Sequence, residues 1–405
     1  MNVAAFVSKK IRHTEGQSFS ATVARVGVAS VALGLAVMII SFAILGGFKR
    51  EIYRKIFSFG GHIQVSEFST NQSYETTPIS VKTDLYKNQK RIPEIAHIQG
   101  IAQKAALIKT ATEVQGIVMK GVGRDFDTAA FAPNLRDGRL VQWSDTAFSR
   151  DVVLSRKIAR QLNLKVGDET LVYFMQNPPR VRKLRVSGIY ETGMEEFDDN
   201  TVLCDISLLR RINDWQPDQV GMYEVFLRNF DELESGAKKV FDTMDYAMKL
   251  IKVTDKYNQI FEWLVLLNRN VVIFLALILF VSCFNMVATL LILIMERTQM
   301  IGLLKALGAR NGQIQRIFLW GGLKLIGQGM LWGNLIGIGF CVLQYYFGLV
   351  PLDQETYYMD AVPIEWDVPT VLLLNLLVVV LVLSILIIPT LVISRISPVK
   401  AIRFD

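Results

Sequence analysis

A chain of 405 residues that is 51% apolar, 20% charged and 10% aromatic is too apolar for an ordinary soluble enzyme and too rich in aromatics for a disordered one. With 28 Gly and 11 Pro it is not collagen-like either, which leaves an integral membrane protein. The excess of 44 Lys and Arg over 37 Asp and Glu, a net +7, then reflects membrane topology rather than a nucleic-acid partner.

Residues 1–25 read as a basic amphipathic segment carrying Lys9, Lys10, Arg12 and Arg25. Residues 26–48 hold no charge and are long enough to cross about 30 Å of hydrocarbon at about 1.5 Å per residue. This run exceeds the roughly 7 to 15 residues of a signal-peptide core and no small-x-small cleavage site follows it, so it reads as an uncleaved anchor.

Residues 49–268 read as a mixed α/β domain. Alternation predicts strands at 61–68, 169–174, 180–190, 201–204, 223–228 and 248–253, and a strand pair at 95–109 and 114–122 around the turn-prone 109–113. Helical spacing predicts helices at 154–162, 206–212 and 232–244. The adjacent Pro178 and Pro179 cannot donate to a ladder, so 175–179 should leave the sheet as a stiff projecting loop. From about Asp255 the period becomes helical, with Ile260, Trp263, Leu264 and Leu267 on one face, and no breaker intervenes before the next apolar run. That predicts a stalk; the alternative is an amphipathic helix lying among headgroups.

Three further spans follow at 269–295, 317–347 and 368–394. The connection 296–316 carries Arg297, Lys305, Arg310 and Arg316 against one acid, and the tail 395–405 carries Arg395, Lys400 and Arg403 against Asp405. The loop 348–367 has Asp353, Glu355, Asp360, Glu365 and Asp367 and no Lys or Arg. Short loops rich in Lys and Arg stay in the cytoplasm, so both termini are expected inside and 49–268 outside. The expected fold is a membrane protein with four transmembrane helices in a one-plus-three arrangement and a mixed α/β domain inserted between the first and second. Gly329, Gly333 and Gly337 repeat every four residues, which permits close backbone approach; the expected place for it is the bundle of the last three spans.

Several chemistries are missing. No Gly-Lys dipeptide occurs, so no phosphate-cradling P-loop can be written on this chain. His13, His62 and His97 are isolated, with no H-E-x-x-H zinc helix, and no G-x-S-x-G elbow exists. Cys204, Cys283 and Cys341 form neither a disulfide framework nor a zinc spacing. Glu195, Glu196, Asp198 and Asp199 either hold a hard cation or form a solvated loop; no metal site is assigned to them. Arg180, Arg182, Lys183 and Arg185 lack the interleaved aromatics of a nucleic-acid surface.

The most specific segment is Glu296-Arg297-Thr298-Gln299-Met300-Ile301-Gly302-Leu303-Leu304-Lys305-Ala306-Leu307-Gly308-Ala309-Arg310. Met300, Leu303, Leu304 and Leu307 make an i, i+3, i+4, i+7 apolar stripe and Gly308 supplies a helix stop. Such a helix between two spans either docks on a partner or floats at the membrane interface.

This segment resembles the E-R-x-x-E-I-G-x-L-K-A-L-G-A run of permeases in the FtsX/MacB-like ABC transporter superfamily, with Met300 where an acid is usual. In that superfamily it is the coupling helix gripping a separate ATPase. The resemblance therefore assigns ATPase contact to Glu296, Arg297, Ile301, Gly302, Leu304, Lys305, Gly308 and Ala309. Leu154 to Ala159, Leu162, and Val166-Gly167-Asp168 are similar to the superfamily's periplasmic core domain. Tyr357 to Trp366 and the ending Ser397 to Phe404 resemble the lipoprotein-releasing, LolC/LolE-type members. In the LolC type a loop between two outer-domain strands forms a hook for a soluble carrier. Met175, Gln176, Asn177, Pro178, Pro179, Arg180 and Val181 stand where that hook would; the alternative is an ordinary hairpin tip.

The resemblance implies a non-catalytic permease subunit of the bacterial inner membrane that extracts lipoproteins and hands them to a periplasmic carrier. Its partners would be an ABC ATPase dimer, a second permease chain, identical or diverged, the lipoprotein, the carrier and the membrane, with no nucleic acid. No cofactor belongs to this chain; ATP and Mg2+ sit on the ATPase. At about 0.8 kcal/mol per buried CH2, a triacylated cargo is held by tens of kcal/mol, so extraction needs work. The acyl chains would enter a cavity between first and second spans walled by Met38, Phe42, Leu45, Leu267, Val271 and Phe274, whose alternative is lipid-facing or interhelix packing. Three rivals stay open: an FtsX-type mechanotransmitter that regulates a periplasmic cell-wall hydrolase, MacB-type efflux, and a membrane-anchored sensor without an ATPase.

Overall fold

The structure, a computed structural model, describes residues 19–69, 76–110, 113–143, 148–353 and 357–395, with side chains omitted at 19–20 and 391–395. Lys9, Lys10, Arg12, His13, part of the 109–113 turn and the family-like ending 397–404 lie outside the described residues. The chain divides into two compact units. The first joins the described residues up to Arg50 with Trp263–Pro351 and those from Ala361 onward; the second holds Glu51–Glu262 and Leu352–Asp360.

Four helices are long and apolar enough to cross a membrane: α1 (Phe19–Gly60), α5 (Asn258–Glu296), α7 (Asn311–Phe347) and α8 (Val368–Arg395). In the first unit α1 sits between α5 and α7, because small residues line both contacts. A Cβ on Gly34 would lie 2.5 Å from Ser282 Oγ of α5, and one on Gly27 would lie 2.8 Å from Thr289 Oγ1. Ser282 Oγ donates to Ser30 O at 3.1 Å and Asn285 Nδ2 to Ser30 Oγ at 3.1 Å, so the polar groups at this apolar depth satisfy one another. On the other side, Gly333 of α7 comes so close that its Cβ would be 2.8 Å from Ala32 O, while Gly329 and Gly337 abut Val31 and Ala36. The glycine repeat therefore seats α7 on the first helix and not, as expected, within the bundle of the last three spans; Ala32 and Ala36 on α1 are the complementary small residues. Asn334 and Asn375 exchange two hydrogen bonds of 2.7 and 2.9 Å and tie α7 to α8.

The second unit is built on a ten-stranded sheet. Its strands are β1 (Ile63–Glu67), β3 (Ile95–Lys109), β4 (Val114–Val122), β5 (Leu135–Gly138), β6 (Asp151–Ser155), β7 (Glu169–Phe174), β8 (Arg180–Tyr190), β9 (Thr201–Asp205), β11 (Met222–Leu227) and β12 (Met248–Lys252). Two-residue strands β2 (Ile79–Ser80) and β10 (Gln219–Val220) pair separately. The long β3 is decisive: Ala106–Lys109 bonds β4 on one side and β7 on the other. Pairing then runs β7 to β8, β8 to β6, β6 to β9 and β9 to β4, so six strands close into a ring with no free edge. Each ring strand contributes buried side chains: Ile108, Ile117, Val202, Val153, Leu184 and Val172. The first half of β3 carries the open extension β11, β1 and β12. Helices α2 (Arg156–Gln161), α3 (Ile206–Ile212) and α4 (Leu233–Thr243) cover the sheet, burying Ile158, Leu208, Leu209 and Val240.

Two features of this unit were not legible as elements. Helix α1 runs past its apolar segment because Ile52, Ile56 and Phe59, spaced i, i+4, i+7, bury one face in the second unit, and it stops at Gly61 with φ +66. The stretch Leu352–Asp360 also belongs here: the Lys55 ammonium donates to Tyr358 O and Leu352 N to Asp360 O at 2.9 Å.

Candidate functional site

The connection between α5 and α7 folds as helix α6 (Thr298–Ala306). Its inner face is centred on Ile301, fully buried among Ile294, Ile314 and Phe318, with Met300, Leu304 and Ala309 packed around them. The expected stripe splits, because the helix packs on the side of Ile301 rather than on the middle of the stripe: Met300 and Leu304 face inward, whereas Leu303 and Leu307, further round from Ile301, are 57% and 76% exposed. Of the residues assigned to ATPase contact, Ile301 and Gly302 are buried and Leu304 and Ala309 pack on the chain itself, so these four hold the helix in place. Glu296 and Gly308 are exposed, and Arg297 and Lys305 are half-buried.

Gly308 ends α6 at φ +93. Gly308 N donates to Lys305 O at 3.0 Å and Ala309 N to Leu304 O at 2.9 Å, a Schellman closure beside which Leu304 and Ala309 both pack on the cluster around Ile301. Two exposed leucines on a short helix, anchored beneath by an isoleucine and locked at its end, make a rigid apolar knob between two spans.

In the second unit, 175–179 is a five-residue connection between β7 and β8, whose last pair is Phe174 with Arg180. The tip is short, and its base is strapped down. Arg180 Nη1 donates to Arg211 O at 2.9 Å and Ile212 O at 2.8 Å, and Nη2 to Asp214 Oδ2 at 2.7 Å. That hydrogen bond from Arg180 holds the Asp214 carboxyl below its usual range. Gln176 Nε2 reaches Ile212 O at 3.4 Å. Met175, Asn177, Pro178, Pro179 and Val181 are exposed, which leaves an apolar tip on a fixed base.

The six cavity candidates part company. Met38, at 2% exposed, and Leu45 are buried inside the helix bundle; Phe42, Leu267 and Val271 are half-buried, with Phe42 and Val271 packed on its core; Phe274 is 65% exposed. Phe42 and Leu45 line a cavity of about 400 Å3 together with Asn268, Ile338 and Glu365. Sequence reasoning missed this pocket, since it is assembled from all four spans and the loop before the last.

Three of the four clustered acids have partners within the chain. Asp198 accepts from Thr192 N at 3.1 Å, Thr192 Oγ1 at 2.8 Å and Gly193 N at 2.8 Å, while burial pushes its carboxyl above the usual range. Lys157 pairs with Asp199 at 2.6 Å and Glu195 at 3.5 Å.

Residues 28–239, more than half the chain, match the MacB-like periplasmic core domain, and residues 272–398 match the FtsX-like permease C-terminal domain. The chain belongs to the FtsX/MacB-like permease family. The lipoprotein-releasing system transmembrane protein LolE of Haemophilus influenzae is 25% identical to this permease over 384 residues, covering 90% of each chain. LolC of the same-named system in Xylella fastidiosa (strain 9a5c) and in Neisseria meningitidis serogroup B is 21% identical, covering 98% of this permease and 97% of each relative. Among solved structures, the extracellular domain of the noncanonic ABC-type transporter YknZ from Gram-positive bacteria covers 47% of this permease and all of that chain, at 15% identity and a TM-score of 0.33. The periplasmic region of MacB from Actinobacillus actinomycetemcomitans covers 50% of this permease and 92% of that chain, at 13% identity and a TM-score of 0.35. The permease is thus a membrane protein of four apolar helices with a mixed α/β periplasmic domain between the first and second.

Proposed function

We propose that this permease extracts lipoproteins from the bacterial inner membrane and passes them to a soluble periplasmic carrier, driven by ATP hydrolysis on a separate chain. The observation that carries the coupling half is α6, where Leu303 and Leu307 stand exposed on a helix anchored by Ile301. An apolar knob flanked by Arg297, Lys305 and Arg310 suits a cytoplasmic groove on an ATPase, with both termini on that same side. The similarity to LolE and LolC along nearly the whole chain supports the cargo half.

In this reading α5 is the transmission. It runs unbroken from Asn258 to Glu296 and only Arg297 separates it from α6, so displacement of α6 by a closing ATPase dimer moves the helix as a rod. Two permease chains would then narrow an outward cavity and drive the acyl chains out toward a carrier held at the 175–181 hairpin. The strapped base of that hairpin favours a docking role, since a pre-ordered apolar tip binds without an ordering cost.

The test is purification of the chain from its native membrane, then reconstitution with its partners in proteoliposomes. A bound ATPase, retained lipoprotein and ATP-dependent transfer to a carrier fit the proposal, with Leu303→Asp plus Leu307→Asp abolishing ATPase capture. Recovery of a cell-wall hydrolase without acylated protein would replace it with the mechanotransmitter reading.

A further inference from the structure

The cavity of about 400 Å3 in the membrane unit has the polarity of an amphiphile site; of the six residues expected to wall the cargo cavity it takes in Phe42 and Leu45 and not the other four. Its floor is apolar, from Phe42, Leu45, Ile338, Val371 and Leu374. Its rim is charged, from Lys49, Glu365 and Asp367, with Asn268 beside them. Lys49 follows the first apolar run, Asn268 precedes the second and Asp367 precedes the fourth, so the rim lies at the membrane face opposite α6. The aromatic side chains mark the same depth: exposed Trp366 meets Tyr345 edge-on with centroids 6.3 Å apart, as side chains do at headgroup level.

The rim is fixed in place. Glu365 N donates to Ala43 O at 3.0 Å, and its carboxylate lies so close to Gly46 that a Cβ there would sit 2.5 Å from Oε2. Arg50 approaches that carboxylate only to 3.8 Å, a loose pairing for a charge at the mouth of an apolar cavity. Lys49 donates to Asn268 Oδ1 at 3.2 Å, one of the three N–H groups an ammonium carries. Asp367 already accepts from Thr370 Oγ1 through one oxygen, which leaves its other oxygen and the loosely paired Glu365 to receive a donor. With Lys49 beside them, these carboxylates around a greasy pocket complement a zwitterion whose positive end is a hydrogen-bond donor. A choline headgroup has no N–H to offer, and a glycerol headgroup has no positive charge.

We propose that this cavity binds one amine-bearing diacyl phospholipid from the adjoining leaflet, its phosphate on Lys49, its ammonium on Glu365 and Asp367, and an acyl chain against Phe42 and Leu374. The site is complete within one chain and shares only Phe42 and Leu45 with the residues expected to wall the cargo path; its test reads retained phospholipid and does not depend on lipoprotein release.

The full chain, with whatever partners accompany it, is placed in nanodiscs of equal parts phosphatidylethanolamine, phosphatidylcholine and phosphatidylglycerol. It is then re-extracted, and the retained lipid is counted by native mass spectrometry. Phosphatidylethanolamine should be retained preferentially. Glu365→Gln with Asp367→Asn should lower that preference about tenfold, the loss expected from removing charge-assisted hydrogen bonds. Lys49→Met should lower retention of all three phospholipids. Leu374→Trp, which fills the floor and leaves the rim charges in place, should empty the site, so a fold-sensitive rim variant does not decide the matter alone. Equal retention of the three lipids by the unaltered chain, retention indifferent to Leu374→Trp, or displacement of the bound lipid by an acylated peptide would each overturn the proposal.

Discussion

Tyr53 of α1 stacks on Phe261 of α5, with ring centroids 5.6 Å apart and 22° between planes. Phe230, just before α4, packs against both, at 4.9 Å from Tyr53 and 5.9 Å from Phe261. Two membrane helices are therefore clamped together inside the periplasmic domain by three aromatic rings, so the sheet receives two rods rather than a single stalk.

The clamp can be measured by a double-mutant cycle. Tyr53→Ala, Phe261→Ala and the pair should show a coupling of about 0.5–1.5 kcal/mol in unfolding free energy, the usual worth of an aromatic pair beyond its buried area. If the permease couples to an ATPase as proposed and the rods act as one lever, either single variant should also weaken the stimulation of ATP turnover by cargo while leaving ATPase capture intact. A coupling near zero, read by chemical denaturation of the full chain in detergent, would mean the rings touch without holding.

A buried ion pair anchors the end of α1. Lys120 meets Glu224 at 2.7 Å with both side chains almost completely buried, and its ammonium also donates to Phe59 O near the helix C-terminus. Gln99 Nε2 donates to the other Glu224 oxygen at 2.8 Å. Removing one partner of such a pair leaves the other charge stranded, so Lys120→Met should cost about 3–5 kcal/mol. Lys120→Met with Glu224→Leu should recover much of that stability, because the exchange of a buried pair for apolar groups is often close to neutral. Thermal melting of the three proteins checks the order.

His62 makes the periplasmic domain sensitive to acid. Its ring lies against Phe57 and Phe230, and Nδ1 accepts from Leu227 N at 2.9 Å, which places the proton of the neutral ring on Nε2. Burial holds its pKa down at about 4, against about 6.5 for a free imidazole. Between these values the unfolded chain binds a proton that the folded chain refuses. The contribution is therefore complete above about pH 6.5 and is lost as pH falls toward 4, to the order of 3 kcal/mol. His62→Asn, which can keep an acceptor for Leu227 N–H, should flatten the fall in melting temperature between pH 7 and 4.5. An unchanged slope would assign the acid sensitivity to other groups.

Much of this architecture was legible because local signals agree with tertiary ones. The alternation in 95–109, 114–122, 169–174 and 180–190 and the helical periods at 206–212 and 232–244 all recur as elements, since each buries the face its pattern marks. The strand Asp151–Ser155 escaped, because it is buried along its whole length and its three consecutive apolar residues, Val152, Val153 and Leu154, have no period to read. The ring closure escaped too: nothing in Ala106–Lys109 alone says that it bonds on both sides. At α6 the apolar spacing was visible in Met300, Leu303, Leu304 and Leu307, but which of them faced inward depended on the packing of Ile301 against Ile294, Ile314 and Phe318. The cavity above Phe42 was beyond reach, because its rim comes from residues as distant as Lys49 and Asp367.

Gly308 offers the sharpest test of how α6 is held. Its φ of +93 is the reason for glycine, as a Cβ there would meet nothing within 4 Å, so Gly308→Ala is penalised by backbone strain alone, about 1 kcal/mol. Gly312 is the control: it too has open space around it, but it sits in the first turn of α7 and is helical, where alanine is tolerated or favoured. Gly308→Ala should loosen the Schellman closure and speed amide exchange at positions 308 and 309, whose backbone N–H groups donate to Lys305 O and Leu304 O. The melting of the periplasmic domain should not move. If α6 couples to an ATPase through Leu303 and Leu307, the same variant should lower the affinity of that complex several-fold, since part of the binding energy must now re-order the helix. Gly312→Ala should leave exchange and affinity as they were; if both substitutions behave alike, the locked C-terminus of α6 has no part in holding Leu303 and Leu307 in register.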